Sequence, residues 1–319
     1  HAEYIRMSVR APIGALNYAK EECCIGRGLA AITPNQDKVS SGFIYWLLKG
    51  KHKELNLQGT GSTFKAISRK VLEEIKVPDI ELKKQTELAG SLEKVYSVIQ
   101  LRKQQLEELD ILIKARFVEM FGDPVSNPFN YDKVRLSQIA DIKIGPFGSL
   151  LHKEDYIENG HPLVNPSHIV DSKISVDNKL TISNEKYEEL GAYKLQIGDV
   201  VMGRRGEMGR CAVVLEDGLL CGTGSILIRP TQNVTADFIQ KIISFPSFKK
   251  TIEDMAVGQT MPNLNVPIVS NFEIIHPPVE VQKSYYDFVT QVDKLKVEVQ
   301  KSLDEMQILF DSLMQEYFG

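Results

Sequence analysis

The chain has 319 residues, of which 43% are hydrophobic and 25% charged, and its formal net charge is −4 at pH 7. These values exclude a largely disordered chain, and the length favours two domains or three. No apolar run reaches the roughly 18 residues of a membrane-spanning helix, and the negative net charge restricts any nucleic-acid surface to a local patch.

A long helix is the first strongly predicted element. Residues 85–121 contain no proline and one glycine, and their apolar side chains recur at spacings of three and four. That spacing is typical of a coiled-coil seam, and at 1.5 Å per residue the helix is about 55 Å long. The seam positions expected to meet a partner helix are Leu92, Val95, Ile99, Leu106, Leu109 and Ile113.

A region of mixed type follows, between residues 123 and 278. Turn signals such as Gly145-Pro146 and Asn159-Gly160 separate short β-rich runs. The expected strands lie near 200–202, 211–215, 225–228 and 272–275, and the expected helices lie at 236–244 and 248–255. These features predict an α+β domain.

A second long helix is predicted at about 282–317. Its expected seam positions are Val292, Leu295, Val299, Met306, Leu309 and Leu313. A helix of this length outruns a domain of about 150 residues. We therefore expect the two long helices to pack on each other.

The sequence repeats itself at a long period. Five segments match in the same order, at an offset that drifts between about 195 and 199 residues. The matches are 7–14 with 202–209, 25–28 with 221–224, 43–44 with 238–239, 77–81 with 276–280, and 121–122 with 318–319. The last part of this alignment places Gln282 opposite Lys83. Because chance matches would not stay collinear, we interpret the chain as an internal duplication.

The two copies differ in length. The second, 123–319, exceeds the first, 1–122, by about 75 residues, and Met7 aligns with Met202 in the middle of the second copy. We therefore expect the first domain to lack its front part, in a parent chain of about 395 residues. A natural protein with one complete and one degenerate domain is the alternative.

Signatures of catalysis are missing from the sequence. It has no Gly-x-x-x-x-Gly-Lys-Ser/Thr loop, no paired histidine motif and no Cys-x-x-Cys pair. We expect Cys23, Cys24, Cys211 and Cys221 to be small buried apolar residues. The first residues show no export signal, which favours a cytoplasmic location. The sequence thus predicts no catalytic residue, no metal and no cofactor in this chain.

Polar residues in the loops between strands are the candidates for binding. Arginine can fork to guanine or phosphate, asparagine and glutamine can pair with adenine, and glycine allows close backbone approach. Arg10 and Arg205 occupy matching places in the duplication. The candidate DNA-binding residues are Arg10, Arg27, Ser62, Thr63, Ser149, Lys153, Asn165, Ser167, His168, Arg204, Arg205, Gln259, Thr260 and Asn263.

Four stretches of the sequence are informative together. They are Met-Ser-Val-Arg-Ala-Pro-Ile-Gly at 7–14, Gly-Pro-Phe-Gly-Ser at 145–149, Gly-Gln-Thr-Met-Pro-Asn-Leu-Asn at 258–265, and the proline and acidic residues at 277–281 before a helix that closes with Phe-Gly. Together they resemble the DNA-specificity subunit of type I restriction–modification enzymes. Each motif is loose, but the alternation of two recognition domains with two long helices is specific.

The resemblance implies an architecture for the whole chain. It implies an α+β protein in which two mixed target-recognition domains, the first incomplete, alternate with two long helices that pair as an antiparallel coiled coil. The implied boundaries are 1–80 for the C-terminal part of the first recognition domain, 81–122 for the first spacer helix, 123–278 for the second recognition domain and 279–319 for the second spacer helix.

The resemblance also implies a function and partners. Each recognition domain would read one half of a bipartite target in double-stranded DNA. The helices would set the gap and dock two modification subunits, which methylate adenine, and restriction subunits would join the complex. S-adenosylmethionine, Mg and ATP would belong to those partners, and this chain would be a non-catalytic specificity subunit.

Two other functions stay open at this point. One is a coiled-coil adaptor that binds protein and not DNA, for which Arg204, Arg205 and Gln259 would be dispensable. The other is the recognition part of a fused methyltransferase–nuclease, which would require catalytic motifs upstream of this sequence.

Overall fold

The structure is a computed structural model that describes residues 4–21, 24–60, 65–207, 209–231, 233–256 and 263–319. The chain divides into two compact units: unit 1 comprises 1–110 with 294–319, and unit 2 comprises 111–293. Two helices of 40 residues each contribute a part to both units. In the described ranges, no helix is both long enough and apolar enough to cross a membrane.

Unit 1 is built around a small antiparallel sheet. Its strands are β1 (Ile5–Ser8), β2 (Leu16–Tyr18) and β3 (Leu29–Ile32), in the order β2-β1-β3. The helices that follow are α1 (Ser41–Gly50), α2 (His52–Gln58), α3 (Arg69–Glu73) and α4 (Leu82–Phe121). Phe43, Trp46 and Leu47 recur on one face of α1, so that face is buried. They share a core with Ile5 and Met7 of β1.

Unit 2 contains larger sheets. Its strands are β4 (Lys133–Arg135), β5 (Ala140–Ile144), β6 (Tyr156–Ile157), β7 (His161–Val164), β8 (Ile169–Val170), β9 (Lys173–Ile174), β10 (Thr181–Ile182), β11 (Val200–Gly203), β12 (Cys211–Val213), β13 (Leu220–Cys221), β14 (Ser225–Pro230) and β15 (Glu273–Ile275). Its helices are α5 (Leu136–Ile139), α6 (Asn184–Glu189), α7 (Ala236–Ser244), α8 (Pro246–Ala256) and α9 (Val266–Ser270), followed by α10 (Val279–Phe318). The predicted strands near 200, 211, 225 and 272 and the predicted helices near 236 and 248 are confirmed.

The inner strands of the central sheet of unit 2 are buried on both faces. Its order is β12-β11-β14-β5, and a second sheet has the order β13-β7-β10-β6. Alternate residues of a strand point to opposite faces. Val200 and Met202 accordingly join the core that contains Phe238 of α7, whereas Val201 joins a separate core with Val164 of β7. The inner strands of this sheet therefore pack against one core on each face.

The structure confirms the internal repeat. Strands β1, β2 and β3 pair in the same register as β11, β12 and β14: Ile5 lies opposite Ile32, as Val200 lies opposite Ile228. In unit 2 the sheet continues at β14, which pairs with β5. Among the described residues of unit 1, no strand pairs with the corresponding edge of β3. Each unit thus has an equivalent sheet of three strands, and unit 2 adds β5 at the edge of that sheet.

A buried glutamine anchors the start of each long helix. Gln282 Oε1 accepts a hydrogen bond from Thr235 N at 3.0 Å, and its Nε2 donates to Pro277 O at 2.9 Å. Gln85 makes the same pair of bonds, to Ser40 N at 3.0 Å and to Ile80 O at 2.6 Å. The residue equivalent to Gln282 is therefore Gln85, two positions after the Lys83 that the sequence alignment placed there.

The two long helices pack against each other in antiparallel directions. Within unit 1, the rings of Tyr96 and Phe310 lie 5.8 Å apart, and Asp110 pairs with Lys296 at 2.6 Å. A later residue on α4 thus contacts an earlier residue on α10, so the two helices run in opposite directions. The predicted fold class, α+β with two long helices paired antiparallel, is confirmed.

The structure corrects two seam positions on α10. Leu295 and Leu309 are 56% and 42% exposed, whereas Val292, Val299 and Leu303 are buried. Phe310 turns inward because Trp46, 5.5 Å away between ring centroids, and Tyr96 form an aromatic surface there. In this second row of the seam the inward positions therefore lie one residue later, at the buried Leu303 and the half-buried Phe310. The remaining predicted seam residues are buried or half-buried: Leu92, Val95, Ile99, Leu106, Leu109, Ile113, Val292, Val299, Met306 and Leu313.

The cysteines divide into buried and exposed thiols. Cys211 and Cys221 are buried, as expected, but Cys24 is exposed, and Cys23 lies outside the described residues. Burial raises the pKa of both the Cys211 and the Cys221 thiols to about 12.

Alkylation at pH 8 is expected to leave Cys211 and Cys221 unmodified while Cys24 reacts. Below their raised pKa both buried thiols stay protonated, so only about one in ten thousand is the reactive thiolate at pH 8. Peptide mass spectrometry after a short iodoacetamide pulse measures this, with a denatured sample as the control in which all three react. Full labelling of Cys211 in the native protein would contradict the burial described above.

Candidate functional site

Loops of unit 2 meet at one edge of its sheets. Main-chain hydrogen bonds fasten them to one another: Gly145 N to Ser225 O (3.0 Å), Gly222 N to Val164 O (3.0 Å), Arg204 N to Gly224 O (3.0 Å) and Leu264 N to Arg204 O (2.9 Å). We call residues 145–153, 165–168, 203–207, 209–210, 222–224 and 263–265 the loop cluster. The loops that the sequence proposed separately thus form one surface, which also includes 222–224.

Close packing within the loop cluster depends on two glycines. A Cβ at Gly203 would lie 3.1 Å from Pro166 Cβ, and a Cβ at Gly224 would lie 3.0 Å from Pro166 Cδ. Any side chain at either position would press on the Pro166 loop. Glycine therefore allows the loops after β7, β11 and β13 to approach one another.

Two adjacent arginines lie at the centre of the loop cluster. Arg204 is half-buried, and its Nε donates to Asn263 Oδ1 at 3.0 Å. Burial, and secondarily the charge of Arg205, lower the pKa of Arg204, although a guanidinium stays protonated at neutral pH. Arg205 is exposed. The pair presents two positive charges that can contact phosphate or base edges.

An ion-pair network braces the same loop. Glu207 pairs with Arg210 at 2.7 Å and with Lys249 of α8 at 3.1 Å. Arg210 also donates to Pro166 O at 3.2 Å. The hydrogen bonds from Arg210 and then Lys249 lower the pKa of Glu207. The network ties the loop that contains Arg204 to both α8 and the Pro166 loop.

The structure corrects one candidate binding residue, His168, which is buried. Its side chain is only 6% exposed, and its Nδ1 lies 2.7 Å from Leu163 O, to which it donates. This contact closes the turn that follows β7. Because the ring is packed beneath the loop, His168 supports the loop and does not face a ligand.

The other candidates fall into three groups. Ser149, Lys153 and Ser167 are exposed in the loop cluster, where Asn165 is half-buried. Arg10 and Arg27 are exposed in loops of unit 1. The candidates that lie outside the described residues are Ser62, Thr63, Gln259 and Thr260.

Sequence reasoning did not identify four residues that the structure adds to the site. Thr223 is exposed between two glycines of the loop cluster and hydrogen-bonds to the Tyr156 side chain. Glu207 and Arg210 carry opposite charges three residues apart, but that spacing predicts a pair only on a helix, and these two residues lie in a loop. Lys249 gave no local signal, because it is 42 residues from Glu207 in the sequence.

Unit 1 holds its own loops with an equivalent set of hydrogen bonds. Val9 N donates to Gly28 O at 2.9 Å, which corresponds to the bond from Arg204 N to Gly224 O. Ile67 N donates to Val9 O at 3.0 Å, which corresponds to the bond from Leu264 N to Arg204 O. Arg10 therefore occupies the position of Arg205. The predicted match between these two arginines is confirmed in three dimensions.

Comparison with known proteins places these features in a family. Residues 1–110 and 128–305 match the family model described as type I restriction modification DNA specificity domain. A Methanocaldococcus jannaschii protein named as the MjaX type I restriction enzyme specificity subunit is 38% identical over 108 residues, which is 34% of this chain and 25% of that protein. The MjaVIII specificity subunit of the same organism is 21% identical over 82% of this chain and 65% of its own length. The chain therefore spans less than two thirds of either relative.

A solved structure shows the same fold. The type I restriction–modification S subunit from M. genitalium is similar with a TM-score of 0.57 and 17% sequence identity, over 100% of this chain and 83% of that one. At this identity the likeness concerns the fold alone.

Proposed function

Because the chain belongs to the type I restriction modification DNA specificity family, we propose that it selects the DNA sequence on which a type I restriction–modification complex acts. Each unit contributes one reader, and each reader recognises one half of a bipartite target. The division into recognition domains at 1–80 and 123–278 and spacer helices at 81–122 and 279–319 is part of this proposal.

The repeated loop frame is the observation that supports two readers best. In each unit the same pair of main-chain hydrogen bonds fixes one residue, Val9 or Arg204, and an exposed arginine, Arg10 or Arg205, follows it directly. Arginine can bind phosphate and base edges, and duplicated readers match a target with two halves. Unit 2 adds the other polar residues of the loop cluster to this frame.

The long helices set the gap between the half-sites and dock the modification subunits. Exposed apolar residues at matching places support two docking positions: Ile111 and Leu112 on α4 correspond to Ile308 and Leu309 on α10. In this proposal each pair is the apolar contact that a modification subunit covers. The exposure of Leu309, which the sequence placed in the helix seam, fits this role.

The proposal assigns the chemistry to other subunits. The modification subunits would bind S-adenosylmethionine and methylate adenine, and the restriction subunits would use ATP and Mg. This chain would supply recognition and assembly without a catalytic residue. Among its described residues, no group of three His, Cys, Asp or Glu side chains could hold a metal ion.

The decisive experiment is to co-express the chain with its modification subunit and map methylated adenine across the host genome. A split motif with a fixed gap is expected. A host that expresses the modification subunit alone serves as the control and should show no such motif.

Three results would change the proposal. Methylation at one half-motif, or at a palindrome of one half, would assign recognition to unit 2 alone. If the complex assembles but no adenine is methylated, the coiled-coil adaptor is favoured. If adenine is methylated when the modification subunit is left out, a fused enzyme is favoured.

Arg205→Ala is expected to weaken DNA binding by about 1–3 kcal/mol, because it removes the charge-assisted hydrogen bonds of an exposed guanidinium in the loop cluster. Fluorescence anisotropy with the target duplex, on the complex with its modification subunit, measures the change. Arg135→Ala removes the same charge from an exposed residue outside the loop cluster and should have little effect. Equal affinity of the Arg205 variant and the wild-type protein would remove Arg205 from the interface.

A further inference from the structure

The two units use one main-chain frame to hold different side chains. Position 204 is fixed by bonds from its N–H to Gly224 and from Leu264 to its carbonyl, and position 9 is fixed by the equivalent bonds. Since Leu264 corresponds to Ile67, the residues before them, Asn263 and Ala66, also correspond. The side chains at these positions can therefore be compared directly.

A polar pair in unit 2 is replaced as a pair in unit 1. Arg204 Nε donates to Asn263 Oδ1 at 3.0 Å, whereas the same two positions in unit 1 hold Val9 and Ala66. The next position is arginine in both units, Arg10 and Arg205, and is exposed in both. The Arg204–Asn263 pair therefore occurs in unit 2 alone of these two frames, whereas the exposed arginine occurs in both.

The contact with Asn263 determines what Arg204 can still bind. It engages Nε and fixes the plane of the guanidinium. Among the described residues, neither Nη1 nor Nη2 of Arg204 makes a hydrogen bond. Two parallel N–H donors on a fixed plane match the O6 and N7 acceptors of guanine in the major groove. Holding the side chain in advance also removes part of the entropy cost of binding.

We propose that Arg204, positioned by Asn263, selects a guanine in the half-site that unit 2 reads, and that Arg10 and Arg205 contact the DNA backbone independently of sequence. Asn263 is then a positioning residue that acts through Arg204, and it does not pair with adenine itself. This inference rests on the proposed DNA-reading function.

The test is a selection from a random double-stranded DNA library with the full chain in complex with its modification subunit. Arg204→Ala and Asn263→Ala should each reduce the preference for guanine at one position of one half-site, by about 10- to 100-fold. The double variant should lose no more than Arg204→Ala alone, because Asn263 acts through Arg204. Arg205→Ala should weaken binding to every sequence alike and lower the salt dependence of binding, without changing the preferred bases.

Asn263→Asp separates positioning from base reading. It keeps an acceptor oxygen for Arg204 Nε but lacks the amide donor that adenine recognition requires. The guanine preference should therefore persist in this variant. Thermal unfolding of each variant establishes that it is folded before its preference is interpreted.

Several outcomes would overturn the inference. The proposed pair fails if the two alanine variants alter different positions of the target, if their effects add, or if folded Asn263→Asp loses the preference as the alanine variant does. Guanine preference that survives Arg204→Ala would remove Arg204 as the selecting residue. If the wild-type complex itself enriches no sequence, the DNA-reading function fails, and this is seen before any variant is compared.

Discussion

Phe121→Ala is expected to lower the free energy of unfolding by about 3–5 kcal/mol, the cost of deleting a large buried aromatic side chain. Phe121 is fully buried at the end of α4, with its ring 5.1 Å from that of Phe238 and 5.6 Å from that of Tyr285. The contacts join α4, α7 and α10 within unit 2. The substitution would leave a cavity where these three helices meet.

Urea denaturation followed by circular dichroism measures this loss. Phe129→Ala is the matched control, since Phe129 is only a few residues away but is 52% exposed. We expect it to cost less than about 1 kcal/mol. If both variants lost equal stability, the helix junction at Phe121 would not be the source of the effect.

Gln282→Leu is expected to cost about 2–4 kcal/mol although leucine has a similar volume. The side chain of Gln282 is fully buried and satisfies the N–H of Thr235 and the carbonyl of Pro277. Leucine would leave both main-chain groups without these partners, and each buried unsatisfied group costs about 1–3 kcal/mol. Thr235 is also the N-cap of α7, so the start of that helix should loosen.

Thermal unfolding compares this variant with Gln300→Leu on the same helix. Gln300 is exposed, and among the described residues its side chain bonds only to Asp304 of α10, at 2.8 Å. Its replacement should therefore change stability by about 0.5 kcal/mol or less. Gln85→Leu should reproduce the larger loss in unit 1. A Gln282 variant as stable as the Gln300 variant would show that the anchor does not stabilise the helix start.

The long helices and the duplication could be predicted from sequence because their signals are local or collinear. Apolar residues at spacings of three and four predicted the two long helices, which begin at Leu82 and Val279 in the structure. The same pattern misplaced Leu295 and Leu309, because a seven-residue repeat assumes that the helix packs only on its partner. Here Trp46 of the domain also packs on α10 and draws Phe310 inward.

Taken by itself, the sequence determined the α+β class, the paired long helices, the repeated frame and the resemblance to a DNA-specificity subunit, since periodicity, turn residues and order along the chain encode them. Only the tertiary structure decided which loops meet, that His168 supports a loop from beneath it, and that Asn263 holds Arg204. These contacts join residues far apart in the sequence: Arg204 and Asn263 are 59 positions apart, and the loop contact of Gly145 is with Ser225. They depend on how sheets and helices pack, and no local pattern of residues records that packing.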